Sequence, residues 1–319
     1  MENKYLPLYE CDMHCHTNRS DGNDSPTELI IKASSLKMKA IGMVDHDIMP
    51  IETLYFDDKT KMSIKKYAKN LNVELVLGCE FSCDSKADDV HIIGYELDWQ
   101  DRRLAQEEKK AKISKAEAYR QLCCLLTLNK MPIDYEKEIL TFTDQNQNIK
   151  KRDPSEVERK HIFELMAQKG YAKSWGEAKI IVRDDPNLNI KRKKISPIDA
   201  ISLIKDCRGI AVLAHPYLID EISDSEIFGI ISRDDYIVNL IDAGLDGIES
   251  VYTYDKTSYK GSMSPEEIKT EVEKKYRGKV KFFSGGSDYH NDGKKGVKNP
   301  REIGEAGISY SSYKKIFKS

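Results

Sequence analysis

The chain has 319 residues, 51 lysines and arginines against 53 aspartates and glutamates, seven histidines, seven cysteines and a mean hydropathy of −0.58. That balance excludes a disordered or membrane-embedded chain, and the length allows a large core without disulfide or metal staples. No apolar run approaches the roughly 20 residues of a membrane span, residues 1–9 have neither a basic head nor an apolar stretch, and the cysteines are odd in number without a CxxC. A cytoplasmic, reduced protein with no membrane association is therefore expected.

Short β-rich runs alternate with helical patterns along the chain. The runs are 8–16, 40–45, 73–80, 90–96, 209–215, 247–251 and 279–288, an alternation that predicts a mostly parallel sheet in an α/β fold. Three helix starts are marked by Ser25-Pro26-Thr27-Glu28, Ser196-Pro197-Ile198-Asp199 and Ser264-Pro265-Glu266-Glu267. Each places a hydroxyl at the N-cap and proline at the first helical position. Between Trp99 and Ile195 the β rhythm stops. A long helix is predicted over 102–128, where Ile113, Ala116, Tyr119, Cys123 and Leu126 recur at nearly 3.6 residues. Two shorter helices opened by Ser155 and Ser174 follow, with a loop over 145–153. Residues 101–195 hold 22 basic and 15 acidic residues, a balance of +7, which leaves 29 against 38, or −9, elsewhere. The predicted organisation is a body of residues 1–99 and 196–319 carrying a basic helical insertion, 100–195. A charge run of this kind is ordinarily a solvated helix face.

The chemistry-bearing residues gather at predicted strand ends. Asp12-Met13-His14-Cys15-His16 ends the first run, and a period of two puts Asp12, His14 and His16 on one face. One such pair could be a hydrogen-bonded core feature. The combination recurs, however, at Asp45-His46-Asp47, Cys79-Glu80-Phe81, His91, Ala214-His215-Pro216 and Asp288-Tyr289-His290, so six of the seven histidines stand at strand termini with acids close by. Parallel α/β folds collect ligands at the carboxyl edge of the sheet. A multinuclear metal centre is therefore predicted, with six histidines and at least Asp21, Glu80 and Asp288 as donors. Nitrogen and oxygen donors suit manganese, iron or zinc. Some nine ligands exceed what one ion takes, so two or three divalent ions with open positions are expected, a catalytic arrangement. Asp12, Asp45 and Asp47 are expected either to orient ligand histidines or to serve caps and turns.

Together these residues resemble the polymerase and histidinol phosphatase (PHP) phosphoesterases, through DMHCHTNRSDG, DHD, the glutamate of GCEFS, the histidine of HIIGYELD, AVLAHPY and GSDYH. The insertion after HIIGYELD, the stretch ERKHIFELMAQKGYAKSWGEA, GLDGIE and SPEE are similar to one branch of that family. Members of that branch remove the 3'-phosphate from nucleoside 3',5'-bisphosphates and trim short 5'-phosphorylated RNA. The resemblance implies a distorted (β/α)7 TIM-like barrel with the metals at its C-terminal mouth. It implies one ion on His14, His16, Glu80 and Asp288, and a second, bridged by Glu80, on His91 and His215. The third would lie on Asp21, His46 and His290. Glu80, Asp21 and His290 count as catalytic, and manganese is the expected metal, with zinc or iron as alternatives.

The resemblance also implies that Arg159 and His161, at the start of an insertion helix, clamp a second phosphate; the family more often has proline between them, where this chain has Lys160. Arg19, Arg183 and the run Lys191, Arg192, Lys193 and Lys194 could add charge facing the substrate, and Tyr171, Trp175 or Tyr217 could stack a base. Glu249 fits buried structure as well as function and is left outside the predicted site. The expected partner is a small nucleotide or short oligonucleotide substrate, with no obligate protein partner. The alternatives are a histidinol-phosphate or sugar-phosphate type monoester phosphatase with the same metals, and a non-catalytic nucleic-acid-binding module holding them structurally.

Overall fold

The computed structural model describes residues 5–56, 60–84, 86–87, 90–143, 148–188, 190, 192–295 and 297–318. The chain divides into two compact units, Met1–Ala105 with Ile195–Ser319, and Gln106–Lys194. No helix among the described residues is long and apolar enough to cross a membrane, and all seven cysteines are thiols.

The first unit is built on a seven-stranded sheet. Its strands are β1 (Cys11–Cys15), β2 (Ala40–Met43), β3 (Glu74–Cys83), β4 (Val90–Tyr95), β5 (Ile210–Leu213), β6 (Gly247–Val251) and β7 (Phe282–Gly285), neighbours in chain order. Each predicted run coincides with one of them, and β3 extends three residues beyond its run, to Cys83. Bridges from Cys15 to Tyr289 and from Cys11 to Ile308 bring the last strand region back to the first, so the sheet is a nearly closed barrel. The expected distorted (β/α)7 architecture is present, with one departure from parallel order: β4 runs antiparallel to both β3 and β5. The cause is the length of the connection. Only residues 84–89 separate β3 from β4, and a parallel crossover needs about a dozen.

Helices α1 (Pro26–Ser35) and α2 (Ile64–Asn70) lie in the first half of the chain. The long α3 (Arg102–Leu128) follows, then α4 (Arg159–Gln168) and α5 (Trp175–Asp184), and finally α6 (Pro197–Asp206), α7 (Arg233–Asp242), α8 (Pro265–Tyr276) and α9 (Tyr310–Phe317). The capping chemistry read from sequence is realised. Ser25 Oγ accepts from Glu28 N at 3.3 Å while Glu28 Oε2 accepts from Ser25 N at 2.7 Å, and Ser264 with Glu267 repeats the pair. Outside the barrel, Leu29 and Ile30 of α1 pack with Ile41 and Leu75, and Ile201, Ile237 and Ile268 pack with Leu213 and Ile248. Inside, Met13, Val76, Ile93, Tyr95 and Val212 form a plug with Ile308 and Tyr313. That filling leaves the polar residues to the mouth.

The second unit has a core of its own, including Leu122, Leu126, Ile139, Ile162, Phe163, Met166 and Val182. The helix expected from Ser155 begins later. A short 3-10 turn, Pro154–Glu156, is capped by Asp153; Val157 is then extended and fully buried in the core, and α4 starts only after Glu158. The expected loop over 145–153 is partly strand, because Ile149–Lys151 pairs with Thr141–Thr143. Residues 145–147 of the expected loop and Lys191 of the expected basic run lie outside the described residues.

Candidate metal centre

The carboxyl ends of β1, β2, β3, β5 and β7 meet at the mouth, and β4 contributes from its amino end because it is reversed. His91, the second residue of β4, thereby reaches the same rim as residues that end or follow parallel strands. Two backbone devices aim these side chains. His215 and Asp288 adopt left-handed conformations, φ +29° and +55°, which carry an intrinsic cost for non-glycine residues and turn the chain sharply after β5 and β7. Gly286 allows β7 to approach β1, since a Cβ there would stand 2.2 Å from the Cβ of His14.

The nine predicted donors converge in three overlapping groups. In the first, His14 Nε2 and His16 Nε2 are 3.0 Å apart; Glu80 Oε2 is 3.2 Å from each, and Asp288 Oδ1 is 3.5 and 3.1 Å from them. In the second, the other oxygen of Glu80, Oε1, lies 2.9 Å from His91 Nδ1 and 3.1 Å from His215 Nε2, and those two nitrogens are 3.2 Å apart. In the third, Asp21 Oδ1 is 3.0 Å from His290 Nε2, and Asp21 Oδ2 is 4.0 Å from His46 Nε2. His16 stands within reach of this group as well, so it borders two of the three.

These contacts behave as ligand spacings rather than hydrogen bonds. His16 Nδ1, His46 Nδ1, His215 Nδ1, Glu80 Oε2 and Asp288 Oδ1 are buried with no hydrogen-bond partner among the described residues. Yet Glu80 Oε2 lies 3.1–3.2 Å from three imidazole nitrogens. Two ligands about 2.1 Å from one ion on adjacent octahedral positions are about 3.0 Å apart, so the donor set fits divalent metal ions. Charge agrees. Burial works against the ionised form of Glu80, but His14, His46 and His91 outweigh it and hold the carboxyl well below its ordinary range. Burial likewise opposes charge on His14, and Glu80, Glu249 and Asp288 carry its pKa well above the usual value. His46 is pushed down to about 4 by burial. The cluster thus attracts positive charge while keeping its acids ionised, as metal binding requires.

Around the donors, the contacts of Asp12, Asp45 and Asp47 fall under the second of the two roles expected of them. Asp12 does not touch a histidine ring. A bulge in β1 between Asp12 and Cys15 breaks the period of two: Asp12 pairs with Ile41, which packs in the outer layer, while the bulge lets Met13 and His14 both turn inward. The Asp12 carboxylate instead accepts from Ser287 N at 3.0 Å, Ser287 Oγ at 2.5 Å and Gly304 N at 2.8 Å, closing the barrel seam. Asp45 accepts from Thr17 N, Thr17 Oγ1 and Ser20 Oγ at 2.7–2.8 Å and so fixes the loop that presents Asp21. Asp47 accepts from Ser82 N at 2.8 Å.

The orienting role belongs to Glu249, which the sequence reading left outside the site. Fully buried at the middle of β6, it receives His14 Nδ1 on both oxygens at 3.1 and 3.2 Å and His215 N on Oε2 at 2.9 Å. Tyr252 and Arg301 were also missed. Tyr252 Oη donates to Asp288 Oδ2 at 2.7 Å and Arg301 Nη1 bonds the same oxygen, leaving Oδ1 turned to the histidines; Arg301 Nη2 lies 3.1 Å from His290 Nδ1. Glu249 carried a signal, a carboxylate in a predicted barrel strand, but Arg301 lies in a loop without any motif.

Of the remaining expected residues, Arg19 is at the rim with Nη1 donating to Met49 O at 2.5 Å. Tyr217 is buried, with the Arg233 guanidinium 3.8 Å above its ring and its hydroxyl donating to Glu271 at 2.5 Å, so one face is already covered. In the second unit, Arg159 is exposed at the first turn of α4, and His161 Nδ1 accepts from Glu158 N at 3.0 Å, capping its own helix. Burial, with Arg152 beside it, lowers the His161 pKa to about 4, so the ring is neutral at neutral pH. Trp175 is exposed, and Tyr171 donates its hydroxyl to Pro132 O at 3.1 Å. Arg183 pairs with Asp184 at 2.6 Å.

Comparison with known proteins places this geometry. Residues 12–194 match the PHP domain, a stretch that includes His14 through His91 and ends before His215, Asp288 and His290. A 5'-3' exoribonuclease of Haemophilus influenzae is 26% identical over 206 residues, 64% of this chain and 68% of that protein. Among solved structures, a Bifidobacterium adolescentis protein carrying a provisional metal-dependent phosphoesterase assignment superposes with a TM-score of 0.68 at 21% identity, over 98% of this chain and 96% of its own. An amidohydrolase from Chromobacterium violaceum, solved with sulfate and no metal, gives 0.62 at 22% identity, over 88% and 87%. The chain belongs to the PHP family, as a metal-dependent phosphoric ester hydrolase.

Proposed function

We propose that this protein removes the 3'-phosphate from nucleoside 3',5'-bisphosphates and trims short 5'-phosphorylated oligonucleotides. The observation carrying the reading is a pair of adjoining cavities. The donor cluster opens into a space of about 260 Å³ whose wall also holds Arg301 and Lys256. Leu218 and Ser258 are shared with a neighbouring cavity of about 740 Å³, bordered by Tyr259, Met263 and Arg233. A phosphoryl group fits the first, and the second has the size and the mixed aromatic and polar wall that suit a nucleoside. The name of the Haemophilus relative points the same way.

The proposed holders are three: His14, His16, Glu80 and Asp288 for one ion, Glu80, His91 and His215 for a second, and Asp21, His46 and His290 for a third, with manganese the preferred occupant. Such ions supply Lewis acidity toward phosphoryl oxygens and a nucleophile at neutral pH. The protein's own groups do the positioning. Glu249 holds the His14 ring, Tyr252 and Arg301 fix Asp288, and Asp45 fixes the loop of Asp21. Arg301 and Lys256 present cationic groups in the wall where phosphoryl charge develops. Arg159, exposed at a helix N-terminus, is proposed to hold a further phosphate, with His161 contributing as a neutral donor through Nε2.

The test is a substrate panel on manganese-loaded protein. Phosphate release from adenosine 3',5'-bisphosphate, or stepwise shortening of a 5'-phosphorylated RNA but not its 5'-hydroxyl form, is expected. Hydrolysis of histidinol phosphate or sugar phosphates with neither of those activities would overturn the reading in favour of a monoester phosphatase.

A further inference from the structure

Beside β5, β6 and β7, from their first residues to Val251 at the end of β6, a third cavity of about 970 Å³ opens between α8 and α9. Its wall holds six basic residues, Lys205, Arg208, Lys269, Arg277, Lys281 and Lys315, against two acids, Asp246 and Glu273. Outside residues 101–195 the chain has 29 basic and 38 acidic residues, so this wall reverses the charge balance of the body that forms it. The arrangement is held in place. Asp246, 3% exposed, receives Lys205 and Lys281, each at 2.7 Å, and Ala211 N at 2.9 Å. Glu273 receives Ser250 Oγ at 3.2 Å and stands 3.6 Å from Arg277.

Two of the cations are uncompensated: among the described residues neither Arg208 nor Lys315 has an acidic partner, and Arg208 occupies a left-handed position, φ +63°, two residues after α6. Ser284, 1% exposed, belongs to the same wall, and its Oγ has no hydrogen-bond partner among the described residues. Tyr9, Phe282 and Ile316 add aromatic and apolar surface. Positive charge that exceeds its internal partners is stabilised by a bound anion, and the aromatic wall suits a planar base. The volume is that of a small-molecule site and the cavity is bounded by two helices, which favours a compact ligand over an extended strand.

We propose that this cavity is a second binding site, distinct from the metal centre, for a small polyphosphate anion carrying an aromatic base, a nucleoside di- or triphosphate. The test uses the full-length, metal-loaded protein with ATP, inorganic tripolyphosphate and a 5'-hydroxyl RNA dodecamer as probes. Photolabelling with 8-azido-ATP is expected to mark peptides from 205–210, 269–283 and 308–316. The R208E/K315E double variant should bind ATP at least tenfold more weakly, with unchanged melting temperature and unchanged turnover of a small phosphoester. K281Q, a milder change, should weaken ATP several-fold. The proposal is overturned if label appears only around the metal ligands or if the double variant binds ATP as tightly as the parent. It is also overturned if tripolyphosphate competes as well as ATP, or if the RNA alone depends on these residues.

Discussion

Glu249 illustrates how much a single buried carboxylate decides. An imidazole has two nitrogens, and only one can face an ion. With both oxygens of Glu249 on His14 Nδ1, a proton is held on that nitrogen, and Nε2, beside His16, Glu80 and Asp288, is left as the nitrogen that can face an ion. The E249Q variant keeps an acceptor but loses the charge, and its amide can turn the wrong atom to the ring. We expect it to fold with a near-parental melting temperature and to hold metal roughly 10–100-fold more weakly, with activity falling in step. Calorimetric metal titration and metal content by mass spectrometry check this; parental affinity would show that His14 needs no such partner. At this scale the sequence is legible for residues that carry a donor at a strand end and illegible for what lies across the sheet. All nine proposed donors could be named from local motifs, whereas Glu249 was passed over and the choice between the two roles open to Asp12 and Asp45 could not be made, because their partners are hundreds or tens of residues away.

At the scale of elements, a small irregularity in β1 determines the site. The bulge between Asp12 and Cys15 turns Met13 and His14 inward together, and it presses the chain against β2, where a Cβ on Gly42 would stand 2.2 Å from Met13 O. Glycine tolerates that approach and alanine does not. The G42A variant is expected to lose about 1–3 kcal/mol, a fall of several degrees in melting temperature, and to lose metal binding with it because His14 moves. A stable G42A protein with full metal content would mean that β1 can relax elsewhere. A bulge leaves no trace in a pattern of alternation, which is why strict period two placed Asp12 on the wrong face. The reversed β4 was legible in principle from its short connection, and α2, α7 and α9, which carry no proline box, were not among the predicted helices.

Another tie between elements titrates. Asp84, just after β3, is buried and accepts from Ser225 Oγ at 2.5 Å, Tyr236 Oη at 3.0 Å and Glu226 N at 3.0 Å, joining the strand to the 222–232 hairpin and α7. Burial favours its neutral form, but the hydrogen bonds from Ser225 Oγ and from the backbone N–H groups of Glu226, Ala87 and Lys86 outweigh that effect and lower its pKa. A carboxyl lowered in the folded state adds stability above its unfolded pKa, about 3.9. That stability drains away as pH falls through the folded value. D84N should therefore be less stable than the parent near pH 7, by about 1–3 kcal/mol for the mispaired buried group. The gap should narrow below about pH 4. Urea denaturation from pH 7 to 3 checks it; a gap independent of pH would show that hydrogen-bond geometry alone, not ionisation, ties these elements.

The whole molecule joins two units of opposite charge with separate apolar cores, and the proposed metal ligands belong to one of them. His14, His16, Asp21, His46, Glu80, His91, His215, Asp288 and His290 all lie within Met1–Ala105 and Ile195–Ser319, while the cluster around Leu126, Phe163 and Met166 lies within Gln106–Lys194. The ligands come from the ends of six strands and their following loops, so ions binding the folded state stabilise the barrel by linkage, about 2.7 kcal/mol for each site at a hundredfold excess over its dissociation constant. Their removal leaves buried acids and imidazoles to repel or desolvate one another. Chelation should abolish phosphoester hydrolysis and lower the melting temperature, with manganese restoring both. Hydrogen exchange should then rise in the peptides around 11–22, 43–47, 78–92, 212–217 and 284–291. It should remain unchanged across 106–194, whose core contains no ligand. Equal loss of protection in both units would show that the insertion's stability depends on the metals, and no change anywhere would place the ions' contribution outside the fold altogether.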